Sequence, residues 1–121
     1  MSVDRFWFWV EGTGFGLAVV LALILLIRIV RGRPLPRALG LTHGAVATLS
    51  TIILITLVTG LPHPDLILDD ATLFLVLAFL GGLTVLALGI ARVRPPGVLI
   101  FLHVLFASFA LILVVIGALR L

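Results

Sequence analysis

The sequence contains no cysteine, lysine, asparagine, glutamine or tyrosine. Without cysteine there is no disulfide framework, no thiolate metal site and no thiol nucleophile. The sequence also shows no phosphate-binding loop, no nucleophile–base set and no pair of catalytic carboxylates. Because so few groups remain for covalent chemistry, the sequence does not favour a stand-alone enzyme.

Charged residues are scarce as well. They make up 11% of the chain, against about 25% in soluble domains, whereas 63% of the residues are hydrophobic and the mean hydropathy is +1.43. This composition predicts an integral membrane protein whose main partner is the lipid bilayer. The net charge of +3 comes from arginines that flank apolar segments, so their positions indicate membrane topology, and we expect no nucleic-acid partner.

Four apolar stretches are long enough to cross a hydrocarbon core of roughly 30 Å, which takes about 20 helical residues. They lie at about 8–30, 38–60, 71–91 and 97–119. The segments between them are short and rich in helix-breaking residues, which makes neighbouring helices antiparallel. The sequence therefore predicts one all-α transmembrane domain over residues 1–121, an integral membrane four-helix bundle with up-down-up-down topology.

The arginines predict the orientation of this bundle. Those next to the first and third connections are Arg28, Arg31, Arg33, Arg37, Arg92 and Arg94. By the positive-inside rule both connections lie in the cytoplasm. All of the acidic residues then fall on the opposite side, where Trp7 and Trp9 are placed as interfacial anchors. We therefore expect a multi-pass protein of the inner (plasma) membrane with both termini outside the cytoplasm.

An internal repeat appears when the second half of the chain is laid over the first. The sequence of residues 31–34 (RGRP) matches that of residues 92–95 (RVRP). With one residue of slippage, His43 aligns with His103, Ala47 with Ala107 and Ser50 with Ala110. The alternative is coincidence among Leu/Val/Ala/Arg segments of low complexity.

We interpret the match as two parallel helical-hairpin repeats, at about 8–60 and 71–119. A pseudo-two-fold axis along the membrane normal would relate them. Residues 18–58 are then expected to superpose on residues 79–118.

The aligned histidines lie at depths where ionisable groups are costly and are functional candidates. His43 follows Arg37 by six residues, or roughly 9 Å of helix, and His103 follows Arg94 by nine, or roughly 13 Å. In the predicted bundle the second and fourth helices are parallel and diagonal, roughly 12–14 Å apart for adjacent axes of 8–10 Å. This gap suits two imidazoles on one iron, so the sequence predicts His43 and His103 as the axial ligands of a haem near the cytoplasmic side.

Small residues next to the histidines leave room for a planar macrocycle. They are Gly40, Gly44, Ala47, Ser50, Ala107 and Ala110. Arg37 and Arg94, together with Arg33, are placed where haem propionates would reach the cytoplasmic interface, as fixed counter-charges.

Thr42-His43-Gly44 and Phe101-Leu102-His103, on two helices of a compact membrane bundle, resemble the bis-histidine b-type cytochromes, including the cytochrome b561-like group. The resemblance implies one-electron transfer through a single haem b, with electrons exchanged with a quinone pool or a partner protein. Larger members of that group carry a second histidine pair near the other membrane face. Here that side has only His63, so a two-haem wire is not expected.

Other functions remain open on the sequence alone. The histidines could be a structural or proton-handling pair, or could bind another metal, although zinc would need three or four ligands. The chain could be a cofactor-free accessory subunit, or a small four-helix transporter that uses Glu11 or the histidines. Because it has little mass outside the membrane, we expect a homo-oligomer or a subunit of a membrane redox complex.

Three further features have structural interpretations. We place Glu11 in the first turn of a helix at the aqueous boundary, where it would complement the helix dipole. His63 with Asp65, Asp69 and Asp70 could form an external metal site, but a solvated acidic loop is favoured. The glycines at positions 12, 14, 16, 81 and 82 are predicted to be close-packing positions.

Overall fold

The computed structural model describes residues 3–120, with side chains from Arg5 onward, and that part of the chain folds into α-helices without strands. The helices are α1 (Val3–Val30), α2 (Arg37–Thr59), α3 (Leu66–Ile90) and α4 (Gly97–Arg120). All four are long and apolar enough to cross a membrane. The predicted all-α class and the four spans are confirmed, and they indicate a multi-pass membrane protein. The side chain of Asp4, one of the predicted outer acidic groups, lies outside the described residues.

Helices α1 and α3 each begin five residues before the predicted spans. For α3 the cause is Asp65, whose side chain accepts hydrogen bonds from the backbone N–H groups of Ile67 at 2.9 Å and Leu68 at 3.2 Å. Such an N-cap satisfies donors that the first turn leaves unpaired. Asp69 and Asp70 therefore belong to the start of the helix, where negative charge is favourable, and the expectation that they form a loop is wrong.

Helices α1 and α3 end in the same way. The N–H of Arg33 donates to the carbonyl of Arg28 at 2.9 Å, and the N–H of Val93, 60 positions later, donates to the carbonyl of Leu88 at 2.8 Å. These six-residue closures form a Schellman motif, which needs a left-handed residue after the helix. Gly32 fills that position in the first half with φ of 62°, and Arg92 fills it in the second with φ of 58°.

The left-handed backbone of Arg92 suggests a substitution that would stabilise the protein. A left-handed conformation costs a non-glycine residue roughly 1–2 kcal/mol. Glycine avoids this cost, but part of the gain is offset because glycine makes the unfolded chain more flexible. Arg92→Gly is expected to raise the free energy of unfolding by about 1 kcal/mol in detergent titrations. Arg92→Ala removes the same charge but keeps the strained backbone, and equal stabilisation by both variants would contradict the argument.

Each helix packs against its neighbours in the sequence, and α1 also meets α4 over a short stretch. Within the described residues, α2 and α4 have no Cα atoms within 8 Å of each other, and the same holds for α1 and α3. Along α1, Gly14 faces Ser50 and Ala18 faces His43, so the contacts run in opposite directions on α1 and α2. In the second hairpin the corresponding contacts are Leu68 with Gly117 and Ala78 with His103.

The buried residues lie in one half of the bundle only. In α1 and α3 they are Phe8, Glu11, Phe15 and Ala18, and Leu68, Ala71, Leu75 and Ala78. In α2 and α4 they are Ser50, Thr51 and Leu54, and Ala110, Val114 and Gly117. We call this region the closed half. Residues 19–49 and 79–109, the arginine half, contain no buried residue, so the helices are packed more loosely there.

The glycines divide between these environments. A Cβ at Gly14 would lie 2.5 Å from the Ser50 hydroxyl oxygen, and Gly81 and Gly82 lie directly against His103. The close-packing prediction is confirmed for these three. Gly12 and Gly16 lie on the exposed face of α1 and have no described atom within 4 Å of such a Cβ, so they do not pack against another helix of this chain.

Candidate functional site

His43 and His103 occupy equivalent positions in their helices. Each lies six residues after the first helical residue, Arg37 in α2 and Gly97 in α4, which corresponds to roughly 9 Å of helix. Counting from Arg94 overestimates the depth of His103, because residues 94–96 belong to the connection and not to α4. The two backbones are therefore at matched depth.

Both imidazoles are held by the same type of hydrogen bond. Nδ1 of His43 lies 2.9 Å from the carbonyl oxygen of Ala18, and Nδ1 of His103 lies 2.7 Å from that of Ala78. A carbonyl oxygen can only accept, so each Nδ1 carries the proton and donates it. In a neutral imidazole this places the lone pair on Nε2, the arrangement found in histidines that ligate metals.

These bonds also set the depth of the rings. Ala18 and Ala78 each precede the last residue of their helix, Val30 or Ile90, by 12 positions, or about 18 Å. Each Nδ1 therefore lies near the level of that alanine, well inside the span. The position of the rings on the cytoplasmic side stays a prediction.

The two rings meet between α2 and α4. Their centres are 6.2 Å apart and their planes are at 86°. Two metal–nitrogen bonds of about 2 Å each, extended by the distance from each nitrogen to its ring centre, give roughly 6 Å between ring centres. The observed separation therefore fits two imidazoles on one metal ion. The described residues include no hydrogen-bond partner for either Nε2.

Helix α3 holds His103 more closely than α1 holds His43. A Cβ on Gly82 would lie 2.8 Å from Cε1 of His103, and one on Gly81 would lie 3.4 Å from its Cβ. The positions 60 residues earlier are Ala22 and Leu21, both of which carry side chains. The second hairpin thus has a glycine surface for its imidazole that the first hairpin lacks.

The other predicted site residues lie near the pair. Ala47 and Ala107 are half-buried one turn beyond the histidines, and Gly44 packs at ordinary distance against Leu86, with 4.0 Å from a Cβ on Gly44 to Cδ2. Arg37 and Arg94 are exposed at the arginine end. The structure thus brings the two histidines into contact range and leaves both arginines at the boundary of the same half.

The external acidic cluster does not form a metal site. Among the described residues no group of three or more histidine or acidic side chains is placed to hold a metal ion. Asp65 is engaged as the cap of α3, and His63 is exposed.

Glu11 is the site residue that the sequence interpretation misplaced. It lies in the third turn of α1, its side chain is 0% exposed, and neither carboxyl oxygen has a hydrogen-bond partner among the described residues. The predicted surface role is therefore wrong. The helical spacing of Glu11 from Phe8, Phe15 and Ala18, at i−3, i+4 and i+7, places all four on one face, and this pattern could have revealed its burial.

No protein-family model, no curated protein and no solved structure matches this chain. The described residues define the class as a bundle of four apolar helices, each long enough to cross a membrane, with a histidine pair between two of them.

Proposed function

We propose that this protein is a membrane b-type cytochrome, or a haem-bearing subunit, in which His43 and His103 ligate one haem b. The observation that carries the proposal is the separation of 6.2 Å between two imidazoles whose Nδ1 atoms are both bonded to backbone carbonyls. Haem supplies the remaining iron ligands itself, which explains how two protein ligands can be enough.

The surroundings of the pair support a flat cofactor over a bare metal ion. No residue of the arginine half is buried, so no enclosed core occupies that half. Gly44, Ala47 and Ala107 present little side chain beside the ligands. Arg37 and Arg94, exposed at the end of this half, are available to neutralise propionate groups through charge-assisted hydrogen bonds.

The chain contributes orientation and electrostatics to the proposed electron transfer. The carbonyls of Ala18 and Ala78 fix the tautomer and direction of the two rings, and they make each Nε2 a stronger donor of electron density. When bound, haem b supplies a reversible one-electron couple of its iron. We expect the electrons to be exchanged with a quinone pool or with a partner protein, within a homo-oligomer or a membrane redox complex.

We further infer that the bundle has up-down-up-down topology and arose from two parallel hairpin repeats. The support is a constant shift of 60 residues. It relates the helix starts at Arg37 and Gly97, the left-handed residues Gly32 and Arg92, the two histidine hydrogen bonds, and the buried positions of α1 and α3. The RGRP and RVRP sequences are 61 positions apart, so that sequence match is one residue out of this register.

Orientation is the second part of the proposal. Arginine-rich connections favour the cytoplasm, which places residues 31–36 and 91–96 inside and both termini outside the cytoplasm in a plasma membrane. Reporter fusions after residues 33 and 94 are expected to report the cytoplasm, and fusions after residues 63 and 121 the opposite side. A cytoplasmic signal at either terminus would overturn this orientation.

The proposed cofactor is tested on the full-length protein purified from haem-replete cells. We expect stoichiometric haem and a reduced-minus-oxidised spectrum with the α-band of a low-spin b-type cytochrome. A colourless protein would contradict the proposal. It would favour a cofactor-free accessory subunit, in which each histidine joins the two helices of its own hairpin through the bond to Ala18 or Ala78.

A further inference from the structure

The closed half contains one ionisable group, Glu11, that electron transfer at the histidine pair does not use. Its side chain is 0% exposed, and both oxygens lack a partner among the described residues. Leaving a carboxylate unpaired in apolar surroundings costs far more than leaving a neutral acid there. The closed bundle therefore favours the protonated form of Glu11.

The two hairpins differ at this level. The position 60 residues after Glu11 is Ala71, and the position 60 residues after Ser50 is Ala110, and all four are buried. Gly14 lies one turn after Glu11 on α1. The hydroxyl oxygen of Ser50 packs against Gly14, and a Cβ at Gly14 would lie 2.5 Å from that oxygen. The first hairpin therefore combines a carboxyl and a hydroxyl where the second has two methyl groups.

Other ionisable groups are remote from Glu11 along the helices. On α1, Arg5 is six residues earlier and exposed, and on α2 and α4 the histidines lie in the arginine half. At the closed end His63, Asp69, Asp70 and Arg120 are exposed, and the half-buried Asp65 caps the start of α3. Because neither carboxyl oxygen of Glu11 accepts a hydrogen bond from a described residue, the ligand that suits this carboxyl is a proton.

We propose that Glu11 is a proton-binding site of the first hairpin, and that it exchanges its proton with water at the closed end when the outer layer of the core separates. That layer contains Phe8, one turn before Glu11, and Leu68, which packs on Gly117. On release, the O–H bond of the carboxylic acid breaks, the proton passes to water, and the carboxylate remains on Glu11. This site does not require haem, so it can be tested whether or not haem is bound.

The sequence permits a direct test, because Glu11 is the only glutamate in the chain. Cell-free synthesis with glutamate labelled with ¹³C at the side-chain carboxyl gives one resonance, which is followed against pH in nanodiscs. We expect the protonated chemical shift at neutral pH, a change to the carboxylate shift at alkaline pH, and loss of the signal in Glu11→Gln. A carboxylate shift at neutral pH, or no change at any pH at which the protein stays folded, would overturn the proposal.

Sodium distinguishes a proton site from a cation site. Repeating the titration with sodium chloride in place of choline chloride is expected to leave it unchanged. A sodium-dependent shift at neutral pH would show that Glu11 holds a metal cation and would contradict the proposal.

Stability gives an independent measurement. The closed bundle holds a proton that the opened state releases, so raising the pH favours opening. The equilibrium constant for opening is expected to rise by up to about tenfold per pH unit. The wild type is expected to lose stability more steeply than Glu11→Gln as the pH rises from the ordinary glutamate range, about 4.3, to the pH at which Glu11 deprotonates in the closed bundle. Asp69→Asn, which removes an exposed acid, should retain the wild-type slope. Equal slopes for the wild type and Glu11→Gln would refute proton release on opening.

Discussion

Replacing either His43 or His103 with alanine is expected to abolish the low-spin haem spectrum of the purified protein. In the proposed site each ring would supply one of the two protein ligands, and the two rings lie as a pair with 6.2 Å between their centres. A haem with one remaining histidine would be high-spin or would be lost on purification. The measurement is the reduced-minus-oxidised spectrum together with the haem content per protein.

His63→Ala is the matched control, because this histidine is exposed in the connection between α2 and α3. It should leave the spectrum intact. Ligand replacement separates coordination from folding: His43→Gly should regain the low-spin spectrum when imidazole is added, since free imidazole can occupy the vacated position. A spectrum that is unchanged in both alanine variants would exclude these histidines as ligands.

Gly82→Ala extends this test to ring position. The added methyl would press on the imidazole of His103, at 2.8 Å from Cε1, without removing a ligand. We expect a perturbed α-band or a lower haem content. Gly89→Ala, on the same helix but with open space at its Cβ, should behave like the wild type.

The second large effect is expected on stability. Gly117 packs closely against the side chain of Leu68. A Cβ at Gly117 would lie 2.7 Å from Cγ of Leu68 and would also overlap Cδ2 of Leu68. Leu68 is fully buried, so it has no free space to move into. Gly117→Ala is therefore expected to destabilise the bundle by about 1–3 kcal/mol, the usual cost of overpacking, measured by denaturant titration in mixed micelles.

Gly16→Ala provides the comparison. This glycine is also in a helix, but nothing lies within 4 Å of its Cβ position. Alanine is the better helix former by about 1 kcal/mol, so this variant should be as stable as the wild type or more so. Equal stability of Gly117→Ala and Gly16→Ala would show that the α3–α4 contact is not tightly packed.

The helices were predictable because hydropathy and turn residues are local properties. All four spans follow from apolar length, and the connections follow from glycine, proline and arginine. The start of α3 was missed because a hydropathy window gives no weight to the N-cap of Asp65 or to acidic residues in a first turn. These depend on single hydrogen bonds and on the helix dipole.

The candidate site was predictable in part. The proposed repeat aligned His43 with His103, and the structure places both six residues after the first residue of their helices. Their hydrogen bonds to Ala18 and Ala78 depend on the packing of neighbouring helices, which the sequence does not encode locally. The contact between His103 and Gly82 was not foreseen, since it arises only when α3 and α4 approach closely.

By itself, then, the sequence determined the number of helices, their approximate ends and the likeness between the two halves, because each depends on composition within a short window. Only the tertiary structure decided that one half of the bundle is closed and the other loose, that the imidazoles meet at 6.2 Å, and that Glu11 is buried without a partner among the described residues. Burial depends on how far each helix is rotated towards its neighbours. In a chain where almost every face is apolar, hydrophobic periodicity gives little indication of that rotation.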